Sequence, residues 1–346
     1  MLCVNCSSEL GEAGKWRHRD DEDRLSNLPE PILYHILSFL DTKSAVRTSK
    51  LSRVWNRLWK HVSVLDLRQD CFGDDPYPFE KFVDKVLSVR YPVKLHKLTY
   101  VQNFAPWSED HTRMFAKVIK YAFSHDAQHL VFDTGSRCQL FDRAYRFSSL
   151  FHSYPTHNQF VTRSKTSNST FNLKTLELRC VALDSGFLLC SRLPMLTTLK
   201  VTSCLLLGTD SYTNEPKDCL DLFSNFGGLV NLAISDCYFL ADPRVRPFLR
   251  VRVSGLQLLS LELEGMEKIR IEIFAPKLRF FSVRQDVNDS QGFSELSLPS
   301  LDRAEIELNH IHRKEAYVHH DQYLNALFQG LHNAKSLKLG YSTVEV

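Results

Sequence analysis

The sequence predicts an α/β protein in two parts, a small three-helix unit near the N-terminus and a long solenoid of repeats behind it. Three observations carry this. Helix-period apolar spacing is confined to Asp23–Val62 and to two later stretches. A strand-like pattern of apolar, two residues, apolar, one residue, apolar recurs ten times between Val62 and Leu339. And 346 residues are too many for one compact core, so a small unit plus a larger one is the default.

In the N-terminal unit, Ile32, Leu33, Ile36, Leu37 and Leu40 fall on one helix face. Pro29 stands where a helix can begin, because its missing N–H would be unpaired there, and Pro31 is still in the first turn. Asp41-Thr42 interrupts the pattern, and Thr42 is the expected cap of a second helix through Lys43–Thr48. Leu51, Val54, Trp55, Leu58 and Trp59 mark a third helix. About 40 residues bury too little surface to stand alone. A unit with two tryptophans and so many leucines is therefore expected to be completed by a partner.

The repeats start at Val62, Leu95, Ala127, Leu173, Leu196, Leu229, Leu258, Leu278, Leu301 and Ala334, between 20 and 46 residues apart. Most of these intervals are in or slightly above the range of leucine-rich repeats, each a strand with a returning helix or loop. The last two apolar positions of each motif point to one face of a strand, and the first turns the chain into the same core. Stacked neighbours must cover that face. Helical spacing over Phe79–Val89 and Thr112–Phe123 places two returning helices. Cys180, Cys204 and Cys237 follow strands at a turn, where a small buried thiol packs well.

The remaining features exclude more than they suggest. A net charge of +3 leaves no electrostatic footprint for nucleic acid or an anionic membrane, and no apolar run reaches membrane-span length. Residues 1–22 read as a disordered leader without a secretory signal, and residues 156–172, rich in Ser, Thr and Asn, as a mobile loop. Nine cysteines without a signal peptide point to reduced thiols, in nucleus or cytoplasm. Cys3-x-x-Cys6 lacks a second pair at zinc spacing, and His310, His312, His319 and His320 read as a surface loop, so no metal and no cofactor are expected. Asn168-Ser169-Thr170 is an incidental glycosylation match, and Lys15–Arg19 is a short basic island cut off by acidic residues. There is no P-loop, no G-x-S-x-G and no H-E-x-x-H, so no catalytic residues are assigned. The chain ends soon after its tenth motif, which leaves the last repeat poorly capped.

One stretch carries a close resemblance. Asp23-Arg24-Leu25-Ser26, Leu28-Pro29, Ile36-Leu37-Ser38-Phe39-Leu40, Lys43, Thr48-Ser49, Leu51-Ser52, Trp55 and Leu58-Trp59 match the F-box of the plant F-box/leucine-rich-repeat family. Pro31, where glutamate is usual, is the clearest departure. The resemblance implies an F-box over residues 23–62 and, over 63–346, a leucine-rich-repeat horseshoe with a parallel sheet on its concave face. It implies a substrate-recognition subunit of a Skp-cullin-F-box ubiquitin ligase, with a Skp-type adaptor as partner, cullin and RING subunit reached through it, and a protein substrate on the repeats. The positions expected to meet the adaptor are Leu28, Pro29, Ile32, Leu33, Ile36, Leu37, Val46, Leu51, Trp55 and Leu58, some of which must instead hold the helices together. Outward strand positions Glu177, Arg179, Lys200, Glu262, Glu264, Arg284, Glu305 and Glu307 are the expected substrate surface, the late glutamates favouring a target segment with Lys or Arg. Two other readings are a hormone co-receptor of the same general build and an adaptor-binding scaffold outside a ligase.

Overall fold

The computed structural model describes residues 25–73, 75–102, 109–135, 171–183, 193–207, 219–221, 223–240, 249–266, 269–287, 292–310 and 320–340. The expectations for the leader, the Cys3/Cys6 pair, the loop at 156–170, His312 and His319 lie outside these residues.

The N-terminal unit holds α1 (Glu30–Ser38), α2 (Thr42–Arg47) and the one-turn α3 (Trp55–Leu58). Pro29 caps α1, with proline in its first turn as expected. The cap of α2 is Asp41 rather than Thr42. The Asp41 carboxylate accepts from the Ser44 amide at 2.9 Å and from its hydroxyl at 2.6 Å. Partial burial pushes the Asp41 pKa up, but the Ser44 hydroxyl and amide outweigh it and hold it below the ordinary value. Thr42 instead ties the helical unit to the first strand, its buried hydroxyl accepting the Asp66 amide at 2.9 Å. The third apolar pattern does not form one helix. It holds only α3 and a 3-10 turn at Trp59–His61, and another 3-10 turn at Thr48–Lys50 precedes it directly after α2.

Behind it, all ten motifs become strands of one parallel sheet: β1 (Val64–Arg68), β2 (Lys97–Val101), β3 (His129–Asp133), β4 (Thr175–Arg179), β6 (Thr198–Thr202), β9 (Asn231–Ser235), β12 (Ser260–Glu264), β14 (Phe280–Val287), β16 (Arg303–His310) and β17 (Ser336–Leu339). The three apolar positions of the first nine motifs are buried. At the last strand, Leu337 and Leu339 are exposed along the sheet edge.

The returning segments differ along the array. α4 (Pro76–Val89) and α5 (Glu109–Ser124) back the early repeats, where Tyr100 packs against Phe79, Phe115 and Phe132 with ring centroids 5.6, 6.4 and 5.8 Å apart. In the middle the chain returns as short strands. β5 (Ala182–Leu183), β7 (Leu205–Leu207) and β10 (Tyr238–Leu240) form a three-stranded parallel sheet. β8 (Cys219–Asp221), β11 (Leu249–Ser254), β13 (Ile269–Phe274) and β15 (Gly292–Ser297) form a four-stranded one. Phe281 of β14 meets Phe293 of β15 edge to face at 6.1 Å, so the two sheets share one core. α6 (His320–Gly330) returns to β17. Its last residue needs to be glycine, since a Cβ there would stand 2.3 Å from the Leu296 Cβ.

Four consecutive strands end in a tight, repeated turn. Cys180, Ser203, Asp236 and Gly265 occupy the same place after β4, β6, β9 and β12, all with φ between 50° and 59°. Their amides donate to carbonyls on the neighbouring strand of the next repeat, Thr202, Ser235, Glu264 and Arg284, at 2.8–3.0 Å. The following residue turns inward, and that is where Cys204 and Cys237 sit, buried. The Cys204 thiol donates to the carbonyls of Leu178 and Thr202, and that of Cys237 to Val201 and Ser235. Burial holds the Cys204 thiol well above its ordinary pKa. Cys180 is one place out of step with these two. It is the left-handed residue itself, only half buried, and Val181 fills the inward position.

Candidate functional site: a docking face and a charged sheet

The N-terminal unit divides its apolar residues between two surfaces. Leu33, Leu37, Trp55 and Leu58, four of the ten expected adaptor positions, are buried within the chain, at 1 to 3% exposure. They fix α1 against α3, and the Trp55 indole donates to the Ser26 hydroxyl at 3.0 Å. Leu28, Ile36 and Val46 are half buried against that core. Pro29 is exposed, as are Ile32 at 45% and Leu51 at 64%. Three further apolar side chains outside the expected set join them: Leu25 at 46%, Phe39 at 76% and Val54 at 43%. Phe39 is legible in the sequence, since Ile32, Ile36 and Phe39 run at i, i+4 and i+7 on one face of α1. The Ser26 hydroxyl lies 3.3 Å from that of Ser52 across the unit.

So many large apolar side chains left in water on so small a unit point to a protein-binding surface. The face also sits on a firm base. Arg90, at the end of α4, donates Nη1 to the Trp59 carbonyl at 2.9 Å and Nη2 to the Val62 carbonyl. Burial holds the Arg90 guanidinium below its ordinary pKa. Tyr91 stacks on His61 with ring centroids 4.3 Å apart. Lys43 reaches the Cys71 carbonyl and stands 3.9 Å from the Phe72 ring centre. The helical unit and the first repeat are thus joined by hydrogen bonds and stacking as well as by a shared core.

The outward positions of the ten-stranded sheet fall in register, which lines them up in rows across the repeats. The expected substrate residues lie in two of these rows, and most are neutralised by a neighbouring repeat. Glu177 faces Lys200 at 3.9 Å, and Arg179 pairs with Asp133 at 3.4 Å. Arg284 bridges Glu264 at 3.2 Å and Glu307 at 2.8 Å, and these two carboxylates raise its pKa. Glu305 pairs with Arg303 and stands 3.9 Å from Lys338. Among the described residues Glu262 alone of these glutamates has no ion-pair partner. Within the late acidic patch that the sequence suggests, strand register sets Arg284 between Glu264 and Glu307, Arg303 of the same strand pairs with Glu305, and Glu262 remains acidic.

The same register brings together residues not singled out from the sequence. Lys97 starts β2 beside His129, which starts β3, and the His96 and His129 rings meet edge to face at 4.8 Å. Lys174 stands immediately before β4. Burial lowers the His129 pKa, and the neighbouring His96, Lys174 and Lys97 lower it further, opposed by Glu177. Their spacing of more than 30 residues hides the cluster until strand register is known. Among the described residues, no group of three or more His, Cys, Asp or Glu could hold a metal ion, and no helix is long and apolar enough to cross a membrane.

Comparison with known proteins agrees with this architecture. The F-box domain family matches residues 25–67. An FBD-associated F-box protein of Arabidopsis thaliana is 58% identical over 69 residues, 20% of this chain and 15% of that protein. An F-box/FBD/LRR-repeat protein of the same plant is 28% identical over 277 residues, 78% of this chain and 57% of its own length. An F-box/LRR-repeat protein, also from Arabidopsis thaliana, is 30% identical over 200 residues, 54% of this chain and 40% of its own. The chain thus spans between 15% and 57% of the length of these relatives. It carries an F-box domain match, and alignments that run through the repeats make it similar to F-box/leucine-rich-repeat proteins of Arabidopsis thaliana.

Proposed function

We propose that this chain is the substrate-recognition subunit of a Skp-cullin-F-box ubiquitin ligase. The F-box docks on a Skp-type adaptor and the repeat sheet holds the protein to be modified. The observation that carries the reading is the unfilled apolar face of the F-box: Leu25, Ile32, Phe39, Leu51 and Val54 stay exposed although the core beneath them is complete. Laying such a face into a partner's groove removes apolar surface from water, worth roughly 25 cal/mol per Å² before ordering costs. Pro29 is exposed as well, and Leu28, Ile36 and Val46 are half buried; Leu33, Leu37, Trp55 and Leu58 act indirectly, by holding the shape of the unit. The chemistry of ubiquitin transfer belongs to other subunits, and this chain contributes proximity by holding the target beside them.

The test is capture of a purified Skp-type adaptor. Ile32→Ala, Phe39→Ala and Leu51→Ala combined should weaken capture at least about thirtyfold, a loss of some 2 kcal/mol or more, while the thermal midpoint of the chain stays within a few degrees of wild type. Capture at undiminished strength by that triple variant would remove the basis of the proposal. Leu33→Ala is the contrasting case: it opens a cavity costing about 2–5 kcal/mol and should lower the midpoint whether or not adaptor is present.

A further inference from the structure

We infer that the client segment recognised by this sheet is acidic, and that its carboxylates are received by His96, Lys97, His129 and Lys174 at the entry of strands β2 to β4. This rests on the reading of the chain as a substrate receptor and names the chemistry of its client. The first support is an asymmetry in how charges are used. Along the rest of the sheet, Asp66 pairs with Arg68, Asp133 with Arg179, Glu177 with Lys200, Glu264 and Glu307 with Arg284, and Glu305 with Arg303. Among the described residues, Lys97, Lys174, His96 and His129 have no carboxylate partner. Four basic groups on three adjacent strands are left without a carboxylate partner on a face where most charges, Glu262 excepted among the glutamates of the two rows, are paired.

The second support is proximity. Lys97 and His129 are direct register neighbours, and His96 touches His129 at 4.8 Å between ring centres. Lys174 precedes Thr175, the register neighbour of His129 on the other side. The carboxylate that faces His129 from β4 is Glu177, already shared with Lys200 at 3.9 Å. Lys94, nearby in the chain, is occupied by Asp126 at 3.1 Å, and Asp133 at the far end of β3 by Arg179.

Geometry also distinguishes two anions from one. Lys97 and Lys174 belong to strands separated by β3, so their backbones are about two strand spacings, roughly 9–10 Å, apart. In an extended segment, side chains on one face repeat at roughly 7 Å. Two successive outward carboxylates can therefore each meet one lysine, with the imidazoles between them. A single phosphate would leave one lysine unmatched. Binding of anions favours the protonated imidazole, so it takes up protons, and affinity rises as pH falls through the histidine range.

The experiment is fluorescence anisotropy of the purified full chain with a peptide alternating aspartate and serine over about eight residues. The controls are a glycine-serine peptide and one with a single phosphoserine. The acidic peptide should bind at least tenfold more tightly than the neutral one, more tightly at pH 6 than at pH 8, and more weakly as salt is raised. Lys97→Glu with Lys174→Glu should abolish that preference, while Lys85→Glu, an equal charge reversal at an exposed position of α4, should leave it unchanged. Equal binding of acidic and neutral peptides, an unaffected charge-reversal variant, or a preference for the phosphoserine peptide over the aspartate one would each overturn the inference. Adaptor capture is measured on the same samples: if it is intact while the peptide preference is absent, the client chemistry is wrong and the receptor reading stands.

Discussion

Four consecutive repeats turn on one residue each in the left-handed region, and three of the four are not glycine. Cys180, Ser203 and Asp236 accept a conformation that costs an L residue roughly 1–2 kcal/mol, because each amide is bound to the strand end of the next repeat. Gly265 alone has no side chain, and a Cβ there would lie 2.2 Å from the Asp236 Oδ1 in the preceding repeat. Gly265→Ala is expected to lower stability by about 2–3 kcal/mol, the sum of backbone strain and this clash. Asp236→Ala in the same chain should recover about 1 kcal/mol of that, since the offending atom is removed while the strain remains. Urea unfolding of the two single variants and the double variant measures both terms. Non-additivity near zero would mean that the Asp236 side chain simply moves aside. None of this ladder is legible in the sequence, because Cys, Ser and Asp at a turn do not announce a positive φ. The two buried thiols are legible from their distance to the strand leucines, and Cys180 departs from them for the same reason, being one residue closer.

At the scale of elements, strands are easier to read than what lies between them. The apolar motif fixes which side chains point inward, and all ten instances are neighbouring strands in chain order. The stretch from Leu263 to Leu278 has room for the six-residue β13 and two turns but not for a helix with its loops. The longer stretches around α4 and α5 carry helical periodicity and form helices. In the F-box, periodicity assigns residues to a face without saying whether that face meets its own chain or another. Leu33 and Ile32 are adjacent and equally apolar, yet one is 1% and the other 45% exposed. The joint between F-box and first repeat is not legible either, because it depends on backbone carbonyls. Arg90 supplies donors to two of them, so Arg90→Met should leave both carbonyls unpaired and cost about 2–3 kcal/mol. Hydrogen exchange would show the loss locally, with faster exchange across residues 55–62 and little change in β9 to β16. A uniform change through the whole array would instead mean that Arg90 supports global stability and has no special part in the joint.

Taken whole, the molecule has two unlike ends to one sheet. At β1 the F-box closes the array: Thr42 holds the Asp66 amide, and the buried cluster runs without a break from Leu33 through the repeats to Leu331. At β17 the strand is exposed throughout its length. A repeat array depends on contacts between nearest neighbours, so removing a closing unit uncovers the apolar face next to it. The F-box is therefore the cap of the solenoid as well as the proposed docking unit, and the two roles fall to different residues. A chain lacking residues 25–62 should lose the cover over Leu65 and Leu67 and be prone to aggregation, with a thermal midpoint well below that of the intact chain. The triple variant at Ile32, Phe39 and Leu51 should keep the wild-type midpoint and remain monodisperse in size-exclusion chromatography, because those side chains contribute to an outer surface only. Client capture by the triple variant then reports on the repeats alone, whereas capture by the truncated chain mixes loss of adaptor with loss of structure. Should the truncated chain unfold at the same temperature as the intact one, the array would be stable without its cap, and the shared core would contribute far less than its continuity implies.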